Sequence, residues 1–432
     1  MPRVTIIGAG SGFTRPLCTD ILLIPELESG TFALVDIDAE RLELAHQLVE
    51  KVIELIGKNW SVEASTDRCK VLADSDYVIN TIEVSGLQTV RADNDIPLKY
   101  GVKQCIGDTI GPGGLFKGLR TIPVWVEILQ DIERLCPKAL VMNYTNPMSM
   151  MTLAGLKSSN LQIVGLCHSV QGTSKLLAEY LDVPYEDLKW RCGGINHMSW
   201  FTELSYQGED MYPRLRERCK DPEIYERDPV RFETMLHFGY FVTESSGHFS
   251  EYVPYFRKRD DLIEKYCRDG YRGETNFYAN NWPIWRREHD EHSRRYLSGE
   301  EQIPLQRSHE YASVIIEAAE ANKPAVIYGS VLNNGLIENL PSDGVVEVAC
   351  MIDRNGVNPC RFGALPPQLA ALNRSNMAVY ELGVKAALEH DRQAALHALL
   401  LDPLTAAVCS PAEIKQMFDE LFEAEKEYLP GF

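Results

Sequence analysis

Short apolar runs alternate with longer stretches of helical periodicity along the first part of the chain. Val4-Thr-Ile-Ile7 reads as a buried strand, Thr14 to Ile24 as a helix and Thr31 to Val35 as a second strand. Ala39 to Ile56 repeats apolar residues at Leu42, Ala45, Leu48, Val49, Val52 and Ile56, the spacing of one helix face. Further strands are predicted over Trp60–Ala64, Asp76–Ile82, Ala139–Asn143 and Leu161–Leu166. Helices are predicted over Leu115–Leu135 and from Gly172 to Leu181. This alternation predicts an α/β protein whose residues 1–193 form a Rossmann-like, doubly wound parallel sheet.

Beyond Arg191 the pattern is less regular. Cys192 to Met198 reads as a strand end carrying the polar pair Asn196-His197. The charged, proline-dotted interval from Glu203 to Glu233 is expected at the surface. Phe238 to Tyr252 mixes aromatic and polar residues, as a pocket wall does. Asp260 to Ser298 is highly charged, with Trp282 and Trp285 interleaved, and is expected to be a mobile or oligomer-facing insertion. A helix over Ser308–Asn322, strands over Ala325–Gly329 and Gly344–Met351, and helices over Pro367–Glu389, Arg392–Leu400 and Ala412–Glu427 complete the chain. Residues 194–432 are thus expected to be a second domain, α/β (α+β) in class.

The strand ends carry the candidate chemistry. Gly8-Ala-Gly10-Ser11-Gly12 follows the first strand and opens the first helix, where glycines let a backbone approach a pyrophosphate. Phe13 stands where a third glycine usually falls. Asp36, ending the second strand, suits an adenosine ribose and would repel a 2′-phosphate, which favours NAD⁺ over NADP⁺. Thr81 and Glu83 follow another strand, Asn143-Tyr-Thr-Asn146-Pro-Met148 a third, and Cys167-His168 a fourth. Cys and His bind metals and move protons. A buried Cys is equally a small core residue, and Asn146-Pro147 is either a plain turn or a cis peptide aiming the amide at a ligand. The glycine-rich loop Gly107 to Gly114 carries Asp108, which either tunes a neighbouring acid or base or caps a turn.

Composition narrows the partners. The chain of 432 residues is 45% hydrophobic with a formal net charge of -19, which argues against nucleic acid and anionic membrane surfaces. It has no apolar run long enough to span a bilayer and no leader pattern at its start. Its 11 cysteines show no Cys-x-x-Cys spacing. A cytoplasmic protein is expected.

Taken together, Gly8-Ala-Gly10-Ser11, Gly111-Pro-Gly-Gly114, Asn146-Pro-Met148, Cys167-His-Ser-Val170, Ile195-Asn-His197, Asn334-Gly-Leu-Ile337 and Val346-Glu-Val-Ala-Cys350 resemble the ordered motifs of glycoside hydrolase family 4. The resemblance runs from Val4 to about Pro430, and Cys-His-Ser-Val is similar to the α-galactosidase members. It implies a family 4 α-glycosidase, an α-galactosidase acting on small α-galactosides such as melibiose or raffinose, with α-glucosides or uronides as alternatives. It implies NAD⁺ and a divalent metal, typically Mn²⁺, in a redox-assisted 1,2-elimination: oxidation at sugar C3, proton removal at C2, loss of the aglycone, water addition and re-reduction.

By the same resemblance, Cys167 and His197 hold the metal, His168 is the acid, Asn146 and Arg91 bind substrate, and Asp108 supports the base. Gly8, Gly10, Ser11, Gly12, Asp36 and Thr81 are expected at the cofactor. The base lies in the loop of residues 238–252. Alignment without gaps puts Ser245 there, which is not a credible base, so Glu244 and Tyr240 are the candidates, with His248 behind them. The second domain is expected to bind substrate and metal and to form a homodimer or homotetramer. A lactate/malate-type dehydrogenase and a non-catalytic NAD sensor are the rival readings.

Overall fold

The structure is a computed structural model describing residues 1–432. Six parallel strands form its N-terminal half: β1 (Arg3–Ile7), β2 (Ser29–Val35), β3 (Asn59–Ser65), β4 (Tyr77–Asn80), β5 (Leu140–Asn143) and β6 (Gln162–Leu166). Their spatial order is β3-β2-β1-β4-β5-β6. β1 lies at the centre because Val4, Ile6 and Ile7 are buried on both faces, as strands sandwiched between helix layers must be. The chain moves outward in opposite directions from β1 and β4. That reversal opens a crevice at their C-terminal ends, where ligands of such sheets bind.

Helices α1 (Thr14–Leu22), α2 (Ala39–Ile56), α3 (Leu87–Lys99), α4 (Gly111–Leu135), α5 (Met148–Ser158) and α6 (Ser169–Leu181) belong to this half. The predicted limits of α2 are met at both ends. The Asp38 side chain accepts from the Glu40 and Arg41 amides, and Gly57 closes the helix at φ +77°.

The sheet continues through the second half as antiparallel strands. They are β7 (Leu188–Ile195), β8 (Met198–Tyr206), β9 (Glu209–Asp210), β10 (Phe241–Val242), β11 (Ala325–Leu332), β12 (Val345–Asp353) and β13 (Gly356–Pro359). β11 joins β6 through Gly329–Leu166 and Ser330–Gly165, and β12 joins β7 through Glu347–Gly194. A side chain at Gly165 would lie 2.6 Å from Met148 Sδ and Thr152 Oγ1, so glycine permits α5 to close on β6. The expected boundary between residues 193 and 194 falls inside β7, and one sheet runs unbroken across it. The long Pro367–Glu389 helix packs against α4 and α5, so the halves share one core.

Two expectations are corrected. Gly111 to Gly114 is not a loop before α4 but its first turn; a side chain at Gly113 would meet the Gly107 carbonyl at 2.2 Å, and glycine allows the preceding loop to fold back onto the helix. The interval from Glu203 to Glu233 is not mere surface: Leu204, Leu215 and Phe232 are buried in a second apolar cluster with Leu177 and Phe241. The Asp260–Ser298 stretch contains two α-helices, Asp260–Tyr266 and Phe277–Ser298. The longer of them packs on α2 and α3 of its own chain.

Candidate active site

The Gly8–Gly12 turn leaves β1 with Gly8 at φ +86°, its N–H donating to the Val35 carbonyl at 2.8 Å. A side chain at Gly8 would stand 2.6 Å from the Thr81 carbonyl, so the turn is pressed against the end of β4. Ser11 Oγ donates to Thr81 Oγ1 at 3.1 Å, and Thr81 Oγ1 donates to the Gly8 carbonyl at 2.9 Å. Asp36 accepts from the Gly10 amide at 2.7 Å and from the Asp38 amide at 2.9 Å. Each of its oxygens keeps a further lone pair for a ribose hydroxyl. Bare glycine backbone, a hydroxyl pair and a carboxylate in this order suit a dinucleotide. The Phe277–Ser298 helix flanks the turn, with Asp290 3.3 Å from the Arg41 guanidinium.

The metal-ligating types meet at the ends of β6 and β7. Cys167 Sγ is 3.4 Å from His197 Nε2, and His197 Nε2 is 3.4 Å from Glu244 Oε2. The three donor atoms lie within 4.8 Å of one another, close enough to share one ion. Sulfur, nitrogen and oxygen together suit a transition metal better than Mg²⁺ or Ca²⁺. The His197 ring is fixed from behind, with Nδ1 3.1 Å from the buried Tyr252 hydroxyl, as ligand histidines usually are. Buried Glu347 accepts from Ser199 Oγ at 2.7 Å and from Asn196 Nδ2 at 3.4 Å, bracing the turn that carries His197. Burial pushes the Cys167 thiol up to about 12, with the Glu244 and Glu347 charges adding to it. A metal ion reverses that balance, because a bound thiol is deprotonated. Burial opposes ionisation of Glu244, but His197 and His248 outweigh it and hold the carboxyl well below the usual range.

A second group of charges faces the first. Asp108 Oδ2 accepts from Asn146 Nδ2 at 3.0 Å, and Asp108 Oδ1 lies 3.6 Å from His248 Nε2. The Asn146-Pro147 peptide is cis. Lys117, buried in the second turn of α4, puts Nζ 2.7 Å from Glu83 Oε2 and 3.9 Å from Asp108 Oδ2. Burial disfavours the Asp108 charge, yet Lys117 and His248 more than offset it and keep the carboxyl ionised. At the exposed mouth, His168 Nδ1 is 3.5 Å from Glu310 Oε1. The Glu310 hydrogen bond, working against burial, lifts the imidazole to about 9.

Cys167, His197, Glu244, Asp108, Asn146 and His168 thus converge at one crevice, with the dinucleotide turn beside them. Tyr240 does not join them: it packs edge-on against Tyr212 in the second apolar cluster, with ring centres 5.6 Å apart, because the edge strand β10 directs it there. Ser245 caps a short helix, accepting from the His248 amide. Arg91 is half exposed, donating to Asn280 at 2.9 Å and pairing with Asp95 at 3.2 Å. Lys117 and Glu310 escaped the sequence reading of the site, while Tyr252 and Glu347 lay in stretches it singled out without a role for either. A lysine inside the apolar pattern of α4, just past a glycine-rich stretch, was the available signal for one of them.

A Rossmann crevice joined to a thiol–imidazole–carboxylate cluster defines the class: a dinucleotide fold with donor groups placed to hold a metal ion. Family models agree with it in both halves. The family 4 glycosyl hydrolase model matches residues 3–183, and the family 4 glycosyl hydrolase C-terminal domain model matches residues 192–405. The chain is 41% identical over 439 residues to an α-galactosidase of Bacillus subtilis (strain 168), covering 100% of both. It is 37% identical to an α-galactosidase of Rhizobium meliloti (strain 1021), covering 100% of this chain and 89% of that one. The 6-phospho-β-glucosidase of Thermotoga maritima, solved with NAD and glucose-6-phosphate, superposes with a TM-score of 0.80 over 99% of each chain at 25% identity. The chain belongs to the family 4 glycosyl hydrolases. That membership sets aside both the lactate/malate-type dehydrogenase and the non-catalytic sensor. No helix is long and apolar enough to cross a membrane.

Proposed function

We propose that this glycosidase is an α-galactosidase that hydrolyses terminal α-galactosides with NAD⁺ and a divalent metal, Mn²⁺ in the first instance. The observation that carries the reaction type is the Cys167–His197–Glu244 cluster beside the Gly8–Gly12 turn. The galactoside reading rests on the Cys167-His-Ser-Val170 motif and on the similarity to two α-galactosidases. Lys117, the buried cation beside Asp108, is engaged by Glu83 and Asp108, which favours a neutral sugar over a phosphorylated or uronic one.

When bound, NAD⁺ would supply the hydride acceptor and donor for sugar C3, and a divalent metal would supply Lewis acidity for the oxygen on that carbon. Cys167 and His197 would hold the metal. Glu244 is ionised and stands at the cluster, where it serves as the base for the C2 proton. Asn146, held by Asp108, presents its amide oxygen to the sugar hydroxyls. His168, kept protonated by Glu310 at the open side, gives a proton to the departing oxygen. The test is dialysis to remove cofactor and metal, followed by assay on p-nitrophenyl α-galactoside. Activity should return only with both NAD⁺ and Mn²⁺, without net NADH. Full turnover by stripped enzyme sinks the redox mechanism, and turnover confined to α-glucosides or uronides sinks the galactoside.

A further inference from the structure

The segment from Gly270 to Trp285 forms an aromatic wall beside the catalytic groups. Tyr271 stacks on Trp285 with ring centres 5.9 Å apart and planes 9° from parallel, and Phe277 closes edge-on at 4.7 Å from Tyr271. Tyr271 is nonetheless 51% exposed, with Trp285 stacked against its ring. The wall is strapped to the site by backbone: the Asn276 amide donates to the Gln104 carbonyl at 2.7 Å and the Tyr278 amide to the Cys105 carbonyl at 3.0 Å. A side chain at Gly247, the residue before His248, would meet the Tyr271 carbonyl at 2.4 Å, so this backbone abuts the loop carrying Glu244 and His248. Burial, with the charges of Asp108 and Glu244 adding to it, raises the Tyr271 hydroxyl.

An exposed aromatic ring next to groups that act on a sugar has a chemical counterpart. A pyranose carries C–H bonds on the faces of its ring, and these pack flat on an aromatic π-face. In galactose the axial O4 leaves the hydrogens on C3, C4 and C5 together on one side, forming the larger apolar patch. Large exposed aromatics rimmed by polar groups mark ligand sites.

We propose that Tyr271, backed by Trp285, is a sugar-stacking platform that receives the apolar face of the reacting pyranose and favours galactose over glucose. This rests on the glycosidase reading above. Tyr271 is then a specificity residue contributed by a segment that otherwise covers the cofactor side of the crevice.

The experiment compares Tyr271→Ala, Tyr271→Phe and Trp285→Ala with wild type on p-nitrophenyl α-galactoside and α-glucoside, with NAD⁺ binding followed separately. Tyr271→Ala is expected to raise KM for the galactoside by roughly tenfold, the size of one aromatic contact. Its kcat should hold within a few-fold and its galactoside-to-glucoside ratio should fall. Phe should restore KM, Trp285→Ala should act in the same direction more weakly, and NAD⁺ affinity should not move. Unchanged KM in Tyr271→Ala overturns the platform. So does weakened NAD⁺ binding with unchanged sugar KM, which would assign the ring to the nicotinamide. If wild type hydrolyses no α-galactoside, the galactosidase reading fails by itself, and the same KM comparison on the glycoside it does hydrolyse decides the platform.

Discussion

His197 Nε2 and Glu244 Oε2 lie 3.4 Å apart, and both residues hold left-handed backbone, at φ +62° and +74°. Such conformations cost non-glycine residues roughly 1–3 kcal/mol each and collect at functional sites. Here they turn two side chains from separate segments onto one point. Replacing Glu244 by Gln separates its two available roles. A base is lost if solvent deuterium no longer enters C2 of the product while NAD⁺ is still reduced in a single turnover. A ligand is lost if Mn²⁺ affinity falls instead. The base assignment expects the first outcome, with turnover reduced at least about a hundredfold.

Cys167→Ser replaces a soft thiolate by a neutral hydroxyl beside His197. Mn²⁺ affinity should drop by about 10–100-fold or more, with NAD⁺ binding close to wild type because the Gly8–Gly12 turn is untouched. Wild-type metal affinity in this variant, read by equilibrium dialysis, would return Cys167 to the core.

His168 must be protonated to act as the acid, so activity is expected to fall as pH rises through its pKa. Its hydrogen bond to Glu310 is the main reason it lies near 9. Glu310→Gln should therefore move the alkaline limb of kcat/KM down by roughly one pH unit at fixed Mn²⁺. An unmoved limb removes His168 from the acid role.

Away from the site, buried Asp402 caps the Pro403–Val408 helix through the Thr405 amide at 2.8 Å. Burial lifts its carboxyl from 3.8 to about 6. A carboxyl raised on folding binds more protons in the folded state, so its contribution is present below pH 3.8 and is lost as pH rises through about 6. The loss is at most ~3 kcal/mol. Asp402→Asn keeps the cap acceptor and should flatten the stability curve in that window. Urea unfolding at several pH values reads the difference.

The sequence by itself determined the elements whose causes are local. Ala39–Ile56 was readable to the residue because its apolar spacing and both caps lie within a few positions of one another. The parallel half of the sheet and its glycine turn followed from strand–helix alternation; Cys167, His197 and Asn146 stood out at strand ends and Asp108 on a glycine-rich loop, with their roles implied by the family resemblance. What the chain could not declare was pairing over distance. Cys167 follows β6 and His197 follows β7, but β11 and β12 lie between those strands in the sheet, delivered from far downstream. That insertion puts Glu347 beneath the His197 turn. Tyr240 and Glu244 looked equivalent in a mixed loop. Pairing of β10 with β8 directs Tyr240 into an apolar cluster, and the left-handed turn at Glu244 aims that carboxylate at His197. The charged stretch around Trp285 read as a loose insertion because its partners, α2, α3 and the Glu244 loop, are far away in sequence. Its place against the site depends on contacts that exist only once the sheet has closed.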